Sequence, residues 1–252
     1  MAGPSGSPPP SELSINQLLP NMLTITAVCA GVSAIRFGVD GNYVLAVQLI
    51  LAAAVLDGID GRVARALDSQ SVVGAELDSL ADFVNFGVAP PLVLYYWGLQ
   101  DMPHVGWLAV LVFAICCLVR LARFNVANAA ESAPGTNRFF IGVPSPAGAL
   151  LVMLPLYLTF AVTDRQILSG WVISGYMIVI GLLMISPIPT WSFKAVKIPR
   201  EKVRYFFVVF ALLGAGLLIF TWISLAVLCL GYAIVVIIAL VHEKRRRKQE
   251  EN

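Results

Sequence analysis

Four aspartates recur within a short segment of a chain that otherwise carries few charges. Asp57, Asp60, Asp78 and Asp82 lie among strongly apolar stretches, in a sequence that is 58% hydrophobic and 13% charged. An ionised aspartate at the centre of a bilayer costs about 2.5–3.5 kcal/mol on insertion scales, and crowded carboxylates also repel one another. The four are therefore expected to be protonated or compensated by cations. Clustered carboxylate oxygens suit Mg²⁺, Mn²⁺ or Ca²⁺, and two such ions suit phosphate chemistry.

Helical periodicity places these aspartates in two facing pairs. At about 100° per residue, Asp57 and Asp60 share one face of a predicted helix, and Asp78 and Asp82 share a face of the next. A short turn around residues 67–71 joins the two helices, so both pairs are expected at one level near a membrane surface. The same two faces also carry Gly61, Ala64, Gly74 and Asn85, with Arg65 at the margin.

Glycine and arginine residues beside the acids favour a phosphate-containing ligand. Gly58, Gly61 and Gly74 leave room for a large ligand to lie against the backbone, and Arg65 can neutralise a diphosphate. The alternative is close packing of small residues between helices, with charges that extend to the interface. That alternative explains the glycines and Arg62, but it does not explain four aspartates in register.

The spacing of residues 57–82, D-x₂-D-G-x₂-A-R-x₈-G-x₃-D-x₃-D, resembles the signature of the CDP-alcohol phosphotransferase family without a departure. Members of that family are integral membrane enzymes that transfer a phosphatidyl-type group from a CDP-linked lipid to an alcohol and release CMP. The resemblance implies that the four aspartates bind Mg²⁺ or Mn²⁺, with two ions expected, and that Asp82 is the catalytic base. It also implies contacts from Gly61, Ala64 and Arg65 to the CDP part. A homodimer is expected as well.

Shorter segments resemble the serine-using branch of the same family. This second resemblance implies CDP-diacylglycerol and L-serine as substrates, together with the surrounding membrane lipids. The matching segments are LPNMLT (19–24), AELDSLADFVNFGVAP (75–90), RLARFN (120–125), FFIGVPSPAGA (139–149) and SPIPTWSFK (186–194).

A serine acceptor carries a carboxylate, which requires a cation that is not already committed to the diphosphate. Arg120, Arg123 and Lys194 are the candidates for this role, and each has a positive-inside anchor as its alternative. Asn125 is expected either to hydrogen-bond a substrate or to cap its helix. Asn85, on the aspartate face, is a candidate for contact with the incoming alcohol.

Three other functions are weighed against serine transfer. A phosphatidylcholine synthase would accept choline, which has no carboxylate and favours an aromatic or acidic cage over spare arginines. A cation-coupled transporter would place its acids near the bilayer midplane on broken helices, often within an inverted repeat. A structural membrane protein would need no acids in register. No nucleic-acid partner is indicated.

The elements that must position these residues are membrane-spanning helices. The mean hydropathy of the 252 residues is +0.82, and apolar runs of about 18 or more residues recur. We predict an all-α, polytopic bundle of about eight transmembrane helices. Residues 13–24 could form a short interfacial helix that turns at Pro20 into the first span. The predicted spans lie near residues 21–38, 43–61, 76–98, 105–124, 143–163, 168–187, 204–221 and 223–241.

The distribution of lysine and arginine predicts that both termini face the cytoplasm. With eight spans, the basic residues fall in the inner loops and the tail, and only Arg36 and Arg165 remain outside. Residues 1–12 are rich in Pro, Ser and Gly and are expected to be a disordered tail. Residues 13–241 would form the membrane domain, and 242–252 a basic cytoplasmic tail. The sequence thus predicts a multi-pass enzyme of the cell membrane whose active site faces the cytoplasm.

Overall fold

The computed structural model describes residues 15–69, 71–130, 142–162, 166, 168–186, 214–217 and 219–250, and within these ranges the chain is helical, with no strand. The predicted disordered tail and Lys194 lie outside the described residues. The helices are α1 (Ile15–Val39), α2 (Tyr43–Ala66), α3 (Val72–Asp82), a π-helical segment (Phe83–Val88), α4 (Ala89–Gly98), α5 (Pro103–Ala130), α6 (Ser145–Val152), α7 (Leu154–Val162), α8 (Gly170–Ile185) and α9 (Thr221–Glu250).

Five segments of the described chain are long and apolar enough to cross a bilayer, which confirms a multi-pass membrane protein. A sixth candidate is the pair α6 and α7, bent by 41°, if the pair counts as one span. Helix α8 is apolar but has only 16 residues. The predicted span near 204–221 falls mostly outside the described residues, so the count of eight and the orientation stay predictions. The five segments are Leu18–Val39, Tyr43–Ala66, Val72–Gly98, Pro103–Ala127 and Thr221–Val241.

Helix α1 is continuous through Pro20, so the predicted turn at that residue is wrong. A proline lacks the N–H that would donate to the carbonyl four residues earlier, which here belongs to Asn16 at the helix start. Further along, a buried stripe of small residues lets the third span approach closely. Gly31 lies against Asn85 and Gly38 lies against Val93.

The turn between α2 and α3 holds the two signature helices antiparallel. The amide of Ser69 donates to the carbonyl of Ala64 at 3.0 Å, and the amide of Asp68 donates to that of Arg65 at 3.4 Å. Asp68 adopts a φ of 52°. Together these features form a Schellman motif, which ends α2. Ser71 then caps α3, because its hydroxyl accepts a hydrogen bond from the amide of Gly74 at 3.0 Å.

The third span contains a π-helical segment directly after Asp82. The amide of Ala89 donates to the carbonyl of Val84, five residues earlier, as in a π-helix. Pro90 and Pro91 follow at the start of α4, and neither has an amide hydrogen to continue an α-helical ladder. The regular α-helical periodicity therefore ends at Asp82, and Asn85 lies within the π-helical segment.

Candidate active site

The carboxylates of the two signature helices, α2 and α3, lie close together. Asp57 and Asp60 of α2 and Asp78 of α3 each place one oxygen within 4.8 Å of the others. The Asp82 carboxyl group, one turn further along α3, lies beside that of Asp57. The three carboxylates differ in exposure: Asp60 is buried, Asp57 is half-buried and Asp78 is exposed. One end is therefore open to a ligand.

The aspartate oxygens fit a divalent cation. One oxygen each of Asp57, Asp60 and Asp82 is buried and accepts no hydrogen bond from any residue that the structure describes. Buried charged oxygens without a donor are costly, and proteins normally pair them. Within the part of the chain that the structure describes, the one ion pair joins Arg36 of α1 to Asp40 in the turn after it, so no basic side chain forms an ion pair with the group. An anionic, all-oxygen donor set matches the ligands that Mg²⁺ and Mn²⁺ prefer.

Thr24 of α1 contacts the buried carboxylate of Asp60. The Thr24 hydroxyl oxygen lies 2.6 Å from Oδ2 of Asp60, and the pair is buried. Thr24 was not predicted as a site residue. A signal is present in the sequence, because Asn21 and Thr24 are polar residues three positions apart in a mostly apolar span.

An open cavity of about 350 Å³ lies beside the aspartates, between α1, α2 and α3. The Arg65 guanidinium lies over Gly61, where Nη1 is 3.7 Å from the position a Cβ would take. Arg65 also interacts electrostatically with Asp78. Gly58 is exposed and faces open space, outside the cavity lining. The predicted residues that line the cavity are Asp60, Gly61, Ala64, Arg65, Gly74 and Asp78, and the unpredicted ones include Pro20, Asn21, Thr24, Ser69 and Ser71.

Arg120 and Arg123 of α5 are both held by backbone carbonyls of the C-terminal half. Arg120 donates from Nε to the carbonyl of Val143 and from Nη1 to the hydroxyl of Ser145, both at 2.6 Å. The half-buried Arg120 guanidinium also interacts electrostatically with Asp82. Arg123 donates to the carbonyl of Ile185 at 3.1 Å. Arg120 is thus a cation fixed on the Asp82 side of the site.

The two candidate asparagines differ in their surroundings. Asn125 donates from Nδ2 to the hydroxyl of Ser79 at 2.8 Å, which links α5 to α3. It does not cap its helix, because α5 continues to Ala130. Asn85 is fully buried against Gly31 of α1, and its amide makes no hydrogen bond with described residues.

Comparison with known proteins shows one consistent similarity. The family model for CDP-alcohol phosphatidyltransferase matches residues 17–227. The chain is 41% identical over 217 residues to the CDP-diacylglycerol–serine O-phosphatidyltransferase of Mycobacterium tuberculosis, covering 86% of this chain and 76% of the relative. It is 40% identical over 235 residues to the enzyme of that name from Mycobacterium leprae, covering 90% and 76%. For that of Helicobacter pylori strain J99, the identity is 37% over 180 residues, covering 71% and 74%.

Proposed function

This chain belongs to the CDP-alcohol phosphatidyltransferase family, and we propose that it transfers the phosphatidyl group of CDP-diacylglycerol to L-serine, giving phosphatidylserine and CMP. The relatives named above support the choice of substrates. The structural observation that carries the proposal is the group formed by Asp57, Asp60 and Asp78, whose oxygens meet beside a cavity lined by Arg65. Anionic oxygens next to a cation-lined cavity suit a diphosphate that needs its charge neutralised.

The aspartates would hold the metal. Asp57, Asp60 and Asp78 would supply the ligand oxygens, and the neighbouring Asp82 would raise the number of carboxylates to four, enough for two ions of Mg²⁺ or Mn²⁺. When bound, the metal supplies Lewis-acid charge neutralisation of the diphosphate. Arg65 adds a positive charge from the cavity wall, where it would contact the CDP part together with Gly58, Gly61, Ala64 and Gly74.

We propose a single displacement at phosphorus. The serine hydroxyl forms a new O–P bond at the β-phosphorus, the bond from that phosphorus to the CMP oxygen breaks, and CMP leaves. A neutral serine hydroxyl is a weak nucleophile, so a base must take its proton as the bond forms. Asp82 is assigned as this base because it lies outside the three-carboxylate group yet next to Asp57. Arg120, which interacts with Asp82, offers a fixed cation for the serine carboxylate.

A panel of acceptor alcohols tests the substrate assignment. Purified protein with CDP-diacylglycerol and Mn²⁺ is given serine, choline, glycerol or inositol, and CMP release is measured. Of the four alcohols, we expect only serine to give CMP release. Release with choline in place of serine would identify a phosphatidylcholine synthase.

The reaction course is tested by stereochemistry. One displacement inverts a chiral β-phosphorus, whereas two displacements through an aspartyl intermediate retain it. We expect inversion and no exchange of labelled CMP into CDP-diacylglycerol when serine is absent. Retention, or rapid exchange, would make one of the aspartates a nucleophile.

Serine recognition is assigned to Arg120, with Arg123, Asn85, Asn125 and Lys194 as further candidates. Arg120→Lys keeps the charge but loses the planar fork that donates to Val143 and Ser145. We expect the KM for serine to rise about tenfold, with a smaller change in the KM for CDP-diacylglycerol. Equal changes in both would contradict a role in serine recognition.

We further propose that the enzyme is a homodimer in the cell membrane, with its active site and both termini facing the cytoplasm. The orientation rests on the positive-inside rule, and the dimer rests on the family resemblance. Asp68→Cys and Asp101→Cys, each combined with Cys29→Ser, provide exposed labelling sites at opposite ends of the bundle. A membrane-impermeant thiol reagent should reach position 68 only from the cytoplasmic side. Light scattering of the detergent-solubilised protein gives its oligomeric state.

A further inference from the structure

The contact between Thr24 and Asp60 joins the first helix to the acidic group. Thr24 is 5% exposed and Asp60 is 2% exposed, so both side chains are buried at the interface between α1 and α2. The Thr24 hydroxyl oxygen lies 2.6 Å from Oδ2 of Asp60 and 3.1 Å from the carbonyl oxygen of Pro20. The two residues are 36 positions apart in the chain. The contact is therefore made by the tertiary fold.

A hydroxyl has one hydrogen and can donate fully to one acceptor at a time. The 2.6 Å distance is typical of an O–H group that donates to a carboxylate, which is a stronger bond than one to a neutral carbonyl. Donation to Oδ2 fixes the torsion of the Asp60 side chain. The other oxygen, Oδ1, is buried and accepts no hydrogen bond from the described part of the chain. One oxygen of Asp60 is thus satisfied by α1, and the other remains available to a ligand.

We propose that Thr24 is a positioning residue for the divalent-cation site, holding Asp60 so that Oδ1 is presented to the ion. This inference rests on the proposed metal-dependent function and extends it to α1, which lies outside the aspartate signature. Groups that hydrogen-bond a metal ligand orient it, and their loss commonly weakens metal affinity 10–100-fold. Pro20 and Asn21 of α1 also line the cavity. The hydrogen bond from Thr24 to Asp60 therefore couples binding of the ion to the position of α1 in the cavity wall.

Thr26 provides a matched control on the same helix. Its hydroxyl donates to the carbonyl of Met22 at 2.7 Å, so it makes the same local bond that Thr24 makes with Pro20. Thr26 is exposed on the opposite side of the helix and contacts no aspartate that the structure describes. A valine at either position removes one hydroxyl and keeps the shape of the side chain. Only the change at position 24 should affect the ion.

The test is Mn²⁺ binding to the purified, metal-free protein without substrate, measured from the electron paramagnetic resonance signal of free Mn²⁺. We expect Thr24→Val to weaken Mn²⁺ binding by at least about tenfold. Thr24→Ser, which keeps the hydroxyl, and Thr26→Val should bind Mn²⁺ as the unchanged protein does. In activity assays, Thr24→Val should need correspondingly more Mn²⁺ for half-maximal rate and recover most of its kcat at saturating Mn²⁺.

The possible outcomes separate this inference from the proposed function. If the unchanged protein binds Mn²⁺ and Asp60→Asn does not, while Thr24→Val binds normally, the positioning role is wrong and the metal site stands. A loss of affinity that is equal in Thr24→Val and Thr26→Val would also overturn it. If the unchanged protein binds no Mn²⁺, both proposals fail. Should Thr24→Val not fold, Thr24→Ala is compared with Thr24→Ser, and equal affinities in that pair would contradict the inference.

Discussion

The acidic cavity among α1, α2 and α3 differs from the region around the bent pair α6 and α7 in how buried polar groups are satisfied. Around the bend, a side chain from a neighbouring helix donates to each of two backbone carbonyls. The Tyr176 hydroxyl donates to Leu151 at 2.7 Å, and the Cys229 thiol contacts Leu150 at 3.4 Å. In the aspartate group beside the cavity, one buried oxygen each of Asp57, Asp60 and Asp82 accepts no hydrogen bond from the described residues. The bend thus satisfies two of its backbone carbonyls from within the protein, whereas the aspartate group keeps charged oxygens without a donor.

The reason for the bond at the bend can be read from the sequence of α7. Pro155 has no amide hydrogen, so the carbonyl of Leu151, four residues earlier, loses its helical donor. The Tyr176 hydroxyl of α8 donates to this carbonyl, as does the amide of Met153 at the end of α6. A bilayer offers no water for this purpose, and membrane proteins therefore satisfy such groups internally. The hydroxyls of Tyr157 and Ser174 also have no hydrogen-bond partner among the described residues, but a neutral hydroxyl costs less to bury than a carboxylate. A buried carboxylate without a partner therefore indicates a ligand site more strongly than a buried neutral hydroxyl without one.

The largest effect is expected from changes to the carboxylates. Asp57→Asn, Asp60→Asn and Asp78→Asn should each lower turnover about a thousandfold, because several kcal/mol of charge neutralisation depend on the metal that they hold. The stability of the metal-free protein should stay the same or rise, since an uncompensated charge is removed. CMP release and thermal unfolding in detergent measure the two quantities.

Asp68→Asn is the control for these variants. Asp68 is exposed in the turn after α2, and asparagine also tolerates its positive φ. This variant should retain normal turnover. Near-normal turnover of one of the three signature variants at limiting metal would contradict this prediction. It would mean that the acidic cavity, like the bent pair α6 and α7, needs no ligand.

An intermediate effect is expected from two glycines that differ in the space around them. A Cβ at Gly74 would lie 3.0 Å from both the Asn21 amide oxygen and the Ser71 hydroxyl, whereas nothing lies within 4 Å of one at Gly58. Gly74→Ala should destabilise the protein by about 1–3 kcal/mol through overpacking. Gly58→Ala should stabilise α2 by about 0.5–1 kcal/mol.

The pair is measured by unfolding in detergent and by turnover. A stable Gly58→Ala protein with reduced turnover would show that the open space is used by the substrate. Normal turnover in that variant would remove Gly58 from the residues that contact the CDP part.

The smallest effect is expected at the bend. Tyr176→Phe removes the side-chain hydrogen bond to the carbonyl of Leu151 and should lower the free energy of unfolding by about 1 kcal/mol, with little change in turnover. Tyr157→Phe is the matched control, because the hydroxyl that it removes makes no hydrogen bond to described residues. Equal destabilisation of the two variants would mean that the bond from Tyr176 does not complete the bend.

Much of the site was predictable because it is local in sequence. The two aspartate pairs are each spaced by one helical turn, and the turn around residues 67–71 is short, so periodicity alone predicts that they face each other. The apolar runs likewise predict a multi-pass helical protein. The π-helical segment was not predictable from periodicity, because residues 83–88 read as ordinary helix until the hydrogen bonds are seen.

The sequence by itself determined that carboxylates converge, that helices span a membrane and that a CDP-alcohol signature is present. The tertiary structure decided which neighbours those groups meet: Thr24 at Asp60, the carbonyl of Val143 at Arg120 and the hydroxyl of Ser79 at Asn125. The physical reason is the solvent. In a soluble protein, the apolar face of a helix reveals which side is buried. In a bilayer, lipid-facing and protein-facing sides are both apolar, so the sequence shows which residues share a face but not which helix covers it.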